Sequence, residues 1–265
     1  MKKGWQKALV LLLIVSLLAL VGCAGDKPAP AGDKQGGEEP KKVLKVGSDI
    51  AYAPFEFFDE KHVPQGFDID LMTAIAEDLG YEVEFETAAF DGLIPALQAK
   101  KYDCIISAMT IREDRAKSIL FSDPYFKAEQ YIAFLEGKNY TKVADLKDAK
   151  IGVQLNTTGQ FVLEDVGLNP QKYDIMPDAL NALLHGGVDA VVGDNQAILE
   201  FIKANPGTNI KYVAADTGDE YYGIGFNLEN TELCEKVNAS LKKLKESGKY
   251  AEIYSKWFQG EVPEF

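Results

Sequence analysis

Between residues 43 and 107 the chain alternates between short apolar segments that suit strands and longer segments with helical spacing. Val43-Leu44-Lys45-Val46-Gly47 reads as a first strand. After Gly66-Phe67-Asp68, the residues Leu71, Ile75, Ala76 and Leu79 recur at helical spacing, with Asp68 and Asp70 near the helix start and Gly80 placed to end it. Residues 81–87 alternate as a strand through Val83 and Phe85. Asp91 opens a short helix through Leu93, Ile94 and Leu97, with Pro95 tolerated in its first turn, and residues 103–107 read as a buried strand. This β-α-β-α-β order constrains the chain to a largely parallel sheet covered by helices.

A second run repeats the logic. Residues 151–153 read as a strand, 158–166 as a helix, 188–192 as a strand and 195–203 as a helix, while 167–187 carries no assignment. Residues 130–135 and 220–226 read as extended, and helices follow over 231–247, stopped by Gly248, and over 250–258. No sequence repeat relates the two runs. Two compact α/β units, between which the chain crosses twice, is the economical arrangement.

Upstream, Lys2, Lys3 and Lys7 precede an almost unbroken apolar run over residues 8–21. At about 14 residues it is too short to span a hydrocarbon core and suits the apolar region of a secretory leader. With Leu20-Val21-Gly22-Cys23 the segment resembles a bacterial lipoprotein signal, the alternative being an ordinary secretory signal with a chance cysteine. The resemblance implies cleavage of residues 1–22, a mature chain beginning at a lipidated Cys23 (palmitate on its thiol), and an extracytoplasmic body anchored to the cell membrane. Residues 24–42 hold Pro28, Pro30, Gly32, Gly36, Gly37 and Pro40 and no aromatic or β-branched side chain. Such a segment buries too little to offset ordering entropy, so 23–42 reads as a flexible tether, with structure beginning near Val43.

Removing the three leader lysines changes 28 basic against 41 acidic residues to 25 against 41, a balance of about −16. That argues against nucleic acid and against electrostatic adhesion to anionic lipid. Cys104 and Cys234 are either paired or buried free thiols; the apolar run Cys104-Ile105-Ile106 favours the core. His62 and His185 are distant, and no Cys/His spacing suggests a metal.

Seven sequence words then occur in order: Asp49-Ile-Ala-Tyr52-Ala-Pro54-Phe55-Glu56-Phe57; Gly66-Phe67-Asp68-Ile69-Asp70-Leu71; Phe90-Asp91-Gly92-Leu93-Ile94-Pro95-Ala96-Leu97; Ile106-Ser107-Ala108-Met109-Thr110-Ile111-Arg112-Glu113-Asp114-Arg115; Phe121-Ser122-Asp123-Pro124-Tyr125; Gly152-Val153-Gln154-Leu155-Asn156-Thr157-Thr158-Gly159; and Val188-Asp189-Ala190-Val191-Val192-Gly193-Asp194. Together they resemble the polar amino-acid-binding proteins of ABC importers, the extracellular solute-binding family 3, from about residue 43 to 258. The resemblance implies an α/β, two-lobed periplasmic-binding-protein-like fold (type II), each lobe a mainly parallel sheet flanked by helices. Lobe one would comprise 43–126 plus 223–265 and lobe two 130–219, with hinge strands near 125–130 and 219–222. It further implies a monomer without cofactor or metal that binds a small-molecule amino acid and hands it to a membrane permease.

A free amino acid carries a carboxylate and an ammonium at fixed separation, so its binder needs a cation and an anion held in opposition. By the resemblance, Arg115 forks onto the carboxylate, a task that suits a planar guanidinium. Thr110, Thr157 and Thr158 supply hydroxyl or backbone N–H donors, Thr158 at a helix N-terminus whose partial charge helps. Asp194, after an apolar strand, takes the ammonium, with Ser107 and the Ala108 carbonyl beside it; read from the residues alone, the alternative is that Asp194 is the N-cap of the helix from Asn195. Tyr52 and Phe90 wall the ligand side chain, while Phe55, Phe57 and Phe58 are assigned to plain core. Asp49 and Gln154 face its distal end. An acid at 49, with words 152–160 and Glu220-Tyr221-Tyr222-Gly223 that look like arginine/lysine-type members, tilts the expected ligand to a basic amino acid, with glutamine or another polar neutral amino acid as the alternative.

A different class, a dehydratase enzyme on the same scaffold, would need a carboxyl placed as general acid. The candidate carboxyls are already committed as ion-pair partners, and no Ser/His or Cys/His nucleophile arrangement appears. A sensor domain would carry a membrane span after the fold. A transport receptor, not an enzyme, is the reading carried forward.

Overall fold

Strand β1 (Lys42–Ser48) exposes Lys42, Val43 and Lys45 while burying Leu44, Val46, Gly47 and Ser48. It thus begins as a one-faced strand and becomes covered on both sides as it enters the sheet centre. The computed structural model describes residues 42–263. The leader, Cys23 and nearly all of the expected tether lie outside these residues.

After β1 a short hairpin, β2 (Phe57–Phe58) with β3 (Pro64–Gln65), leads into α1 (Phe67–Asp78), whose buried Leu71, Met72, Ile75 and Ala76 face the core. Leu79 caps α1 and Gly80 follows at φ 78, the left-handed turn anticipated at that glycine. β4 (Tyr81–Thr87) pairs in parallel with β1, α2 (Phe90–Gln98) follows, and β5 (Cys104–Ile105) pairs in parallel with the other edge of β1. Then come α3 (Glu113–Ala116), β6 (Leu120–Phe121) and the long β7 (Phe126–Leu135).

β7 founds a second sheet. A 3-10 turn (Val143–Leu146) precedes β8 (Ile151–Gln154), α4 (Thr158–Asp165), β9 (Gln171–Tyr173), α5 (Met176–Leu184), β10 (Ala190–Asp194) and α6 (Asn195–Ala204). β11 (Ile210–Tyr222) runs antiparallel to β7 and carries the chain back to β12 (Gly225–Phe226) in the first sheet. α7 (Thr231–Glu246) and α8 (Lys249–Trp257) pack on α1.

The sheet orders are β4-β1-β5-β12-β6 and β11-β7-β10-β8-β9, one per lobe. Each is mixed, because strands placed after a crossing or at one join antiparallel: β12 between β5 and β6, and β7 between β11 and β10. At the crossing, β7 and β11 lie side by side, with Phe126 opposite Tyr222 and Glu129 opposite Asp219, and the register shifts between Ala214 and Asp219. Aromatic side chains pack the first-lobe end of this pair: Phe126 lies 4.9 Å from Phe55, 4.9 Å from Phe258 and 5.5 Å from Tyr222, centroid to centroid.

Local expectations are corrected at several places. β5 is two residues long rather than spanning 103–107, because the chain leaves the ladder at Ser107 and turns through Ala108 at φ 44. β10 starts two residues later than expected and runs to Asp194, since the Val188 N–H is still bonded to the Ala182 carbonyl in the turn after α5. α5 fills part of the stretch 167–187 that carries no sequence assignment; Pro177 sits in its first turn, where its missing N–H costs nothing. Phe55 is core at 0 % exposure, but Phe58 is 41 % exposed on the β2–β3 hairpin and Phe57 is only half-buried, edge-on to Trp257. Cys104 and Cys234 are both buried free thiols.

Candidate functional site

The carboxyl ends of β1, β5, β8 and β10 converge, which is where α/β sheets leave their crevice. The residues singled out from the sequence, Asp49, Tyr52, Phe90, Ser107, Ala108, Thr110, Arg115, Gln154, Thr157, Thr158 and Asp194, all line one cavity there, joined by Glu56.

On the first lobe, the Asp49 N–H donates to Ser107 Oγ (3.0 Å), whose hydroxyl donates to Glu56 Oε1 (2.7 Å). Ala108, in the left-handed region, is held by its N–H on Asp68 Oδ2 (2.8 Å), which also accepts from Tyr125 Oη (2.7 Å). Arg115 rises from the single turn of α3 and is buried despite its charged neighbours in sequence. It donates to the Thr110 carbonyl (3.0 Å) and stands 5.3 Å from the Phe90 ring centroid, so the ring covers one side of the guanidinium.

On the second lobe, Gln154 ends β8, Thr157 Oγ1 donates to the Gln154 carbonyl (2.7 Å), and Thr158 opens α4. Asp194 is the N-cap position of α6, yet its side chain makes no capping bond. Instead it accepts from Tyr52 Oη (2.8 Å), Tyr222 Oη (2.6 Å) and Gln130 Nε2. The cap alternative is thereby set aside.

Among the described residues, three bonds cross between the lobes: Tyr52 to Asp194, Gln154 Nε2 to Asp49 Oδ2 (2.7 Å), and Arg115 to the Asn156 carbonyl (2.9 Å). Each lobe therefore completes the other's half of the cavity.

The electrostatics divide the cavity into two poles. Around Arg115 stand Asp194 and Glu220, whose charges favour its cationic form, while burial and then Arg112 bring its pKa down to about 10. Burial likewise pushes Asp194 up, against the bonds from Tyr222, Tyr52 and Gln130. At the other pole, burial lifts Asp49 to about 6 against the Gln154 bond, with the charge of Asp91 adding to the rise. Burial and the Asp68 charge push Glu56 well up, and burial raises Asp68 to about 6. Burial opposes ionisation of these carboxyls, and a cationic ligand group set beside them would favour their charged forms.

Sequence reasoning missed Glu56, Gln130, Glu220 and Tyr222 as parts of this site. Glu56 lies inside the first sequence word, directly after the core Pro54-Phe55 pair, and Glu220 and Tyr222 lie in the extended stretch after residue 219. Their inward position follows from the crossing of β7 and β11, which no local pattern reveals.

The comparisons agree with this architecture. A family model of bacterial extracellular solute-binding proteins, family 3, matches residues 44–260. A probable histidine-binding protein of Neisseria gonorrhoeae is 36% identical over 265 residues, covering 97% of each chain. Among solved structures, an ancestral arginine-binding protein bound to arginine has 43% identity and a TM-score of 0.78, covering 83% of this chain and 99% of that one. The arginine-, lysine-, histidine-binding protein ArtJ of Geobacillus stearothermophilus has 41% identity and a TM-score of 0.80 over 84% of this chain and 97% of that one. Fold, cavity and match over most of the chain agree: the protein belongs to the bacterial extracellular solute-binding proteins, family 3.

Proposed function

We propose that this chain is the extracytoplasmic substrate-binding subunit of an amino-acid ABC importer and that its cavity takes a basic L-amino acid, arginine or lysine. The observation that carries the reading is the pairing of opposed poles in one cavity: Arg115 beside Asp194 at one end and Asp49 at the other. Arg115, Thr110, Thr157 and Thr158 take the ligand carboxylate; Asp194 takes the ammonium, together with Ser107 and the Ala108 carbonyl. Tyr52 and Phe90 flank the aliphatic stem, and Asp49 with Gln154 receives the distal cation. The arginine- and lysine-binding relatives support it.

Glutamine is the second reading, favoured by the Gln154–Asp49 bond, because an amide-and-acid pair also serves a distal amide. Lobe one is 43–126 plus 223–265 and lobe two 130–219. They close on the ligand about hinges at 125–130 and 219–222, a population shift driven by contacts made only when closed. Cys23 carries the lipid anchor; the body acts as a monomer, without cofactor, and delivers its cargo to the permease. The relatives are binding proteins, and the cavity carboxyls serve here as partners for charge rather than as catalysts.

Calorimetric titration with arginine, lysine, histidine and glutamine tests the assignment. Arginine or lysine should bind in preference to glutamine. Tight glutamine binding with both basic ligands ignored would overturn the basic-ligand reading and leave the receptor role standing.

A further inference from the structure

Glu220 lies on β11 opposite Ala128 of β7, in the stretch where both strands cross between the lobes. Its carboxyl is buried at 8 % exposure, and Oε2 accepts from Thr110 Oγ1 at 2.8 Å. The side chains of Thr158 on α4 and Gln130 on β7 stand close enough to the same carboxyl to favour its ionised form. One carboxyl thus holds the Thr110 hydroxyl of one lobe and neighbours that of Thr158 in the other, and these are two of the hydroxyls assigned above to the amino-acid carboxylate. The charged or titratable groups facing it are Asp194 from β10, Arg115 from α3 and Tyr222 from its own strand; β7 and α4 present the neutral Gln130 and Thr158.

We propose that Glu220 is a proton-responsive positioning residue: ionised, it draws the hydroxyl protons of Thr110 and Thr158 away from the ligand carboxylate, and protonated, it releases them to it. The inference rests on the amino-acid-binding reading. A threonine hydroxyl has a single proton to donate, so a bond to Glu220 and a bond to the ligand carboxylate exclude one another. A ligand that takes those protons removes the bonds that favour ionised Glu220 and sets a like charge beside it. Binding then draws a proton onto Glu220, and by linkage affinity rises as pH falls through the range where this carboxyl titrates. Burial, with the charge of Asp194, raises that range to about 7, although Thr110, Thr158 and Gln130 oppose the rise. Asp49 produces the opposite trend for a basic ligand, but only as pH falls towards about 6, so the two are separable.

The test is arginine affinity by calorimetry between about pH 6.5 and 8.5 for the parent and for Glu220→Gln. The parent should tighten about threefold to tenfold toward the lower pH, bounded by one proton per site. Glu220→Gln should lose that slope and bind at high pH about as tightly as the parent does at low pH. A second measurement needs no variant: titration of the parent near pH 7.5 in two buffers of different ionisation enthalpy should register net proton uptake on arginine binding. Retention of the slope in Glu220→Gln, or proton release or no exchange by the parent, would overturn the role of Glu220 while leaving amino-acid binding intact. Absence of arginine binding by the parent at every pH would overturn the binding reading itself, and this inference with it.

Discussion

Arg115 is buried against Phe90 with its guanidinium bonded to two backbone carbonyls, which fix its orientation. Because the group it is assigned to read is common to all amino acids, Arg115→Ala should weaken every ligand of a calorimetric panel by a similar factor. Removing one partner of a desolvated charge pair typically costs about 2–5 kcal/mol; an unchanged affinity would mean that the carboxylate lies elsewhere. Asp49 should behave differently. Asp49→Asn keeps the shape and a hydrogen-bonding side chain but removes the charge, and bonds to charged groups contribute about 1.5–3 kcal/mol against about 1 for neutral ones. Arginine and lysine should weaken by about tenfold or more while glutamine changes little. Equal losses for all three would assign Asp49 to structure rather than selectivity.

At the scale of elements, α4 shows how a small residue places a functional one. Gly159 lies in the first turn, directly after Thr158, and a Cβ there would stand 2.9 Å from Gln130 Oε1 and 3.0 Å from the Val192 carbonyl oxygen of β10. The backbone on one side cannot yield cheaply, so Gly159→Ala should push α4 off the sheet and carry Thr158 with it. Overpacking of this kind costs about 1–3 kcal/mol. Arginine affinity should fall in titration and the melting temperature without ligand should drop; affinity kept at the parent value would show that α4 has room to adjust. The same elements mark what was legible in the sequence. β1, α1, β4, α2, α4 and α6 announce themselves through periodicity and stops such as Gly80, and the ordered words placed eleven side chains that line one cavity. What local pattern did not yield depends on contacts distant in sequence. The two-residue β5 is cut short by the turn at Ala108, and Phe58 faces solvent because its hairpin projects from the sheet. Glu220 and Gln130 become site residues only when β7 and β11 cross side by side.

The whole molecule gathers buried acid at its cleft while carrying a formal charge of −13, and this fixes how its stability must respond to pH. Burial raises Asp49 and Asp68 to about 6 and Glu220 to about 7, and pushes Glu56 and Asp194 upward as well. A carboxyl whose folded pKa lies above its unfolded value binds its proton more tightly when folded. Its stabilising contribution is complete below the unfolded pKa, near 4, and is lost as pH rises through the folded value. The opposite group comprises, among the described residues, Asp78, Asp114, Asp145, Glu164, Asp189, Glu229 and Glu232, held below the usual range by hydrogen bonds or lysine and arginine partners at the surface. Their contribution disappears only as pH falls below about 4, and exposure keeps it small. The melting temperature without ligand should therefore fall between about pH 5 and 8. Saturating arginine should raise the whole curve, and because its affinity is expected to fall as pH rises from about 6.5 to 8.5, the increment should be smaller at the upper end. Scanning calorimetry over this range, with and without arginine, checks both parts. A ligand-free melting temperature that rises toward pH 8 would mean that the cleft carboxyls ionise without penalty, and that their charge is already balanced by the protein itself.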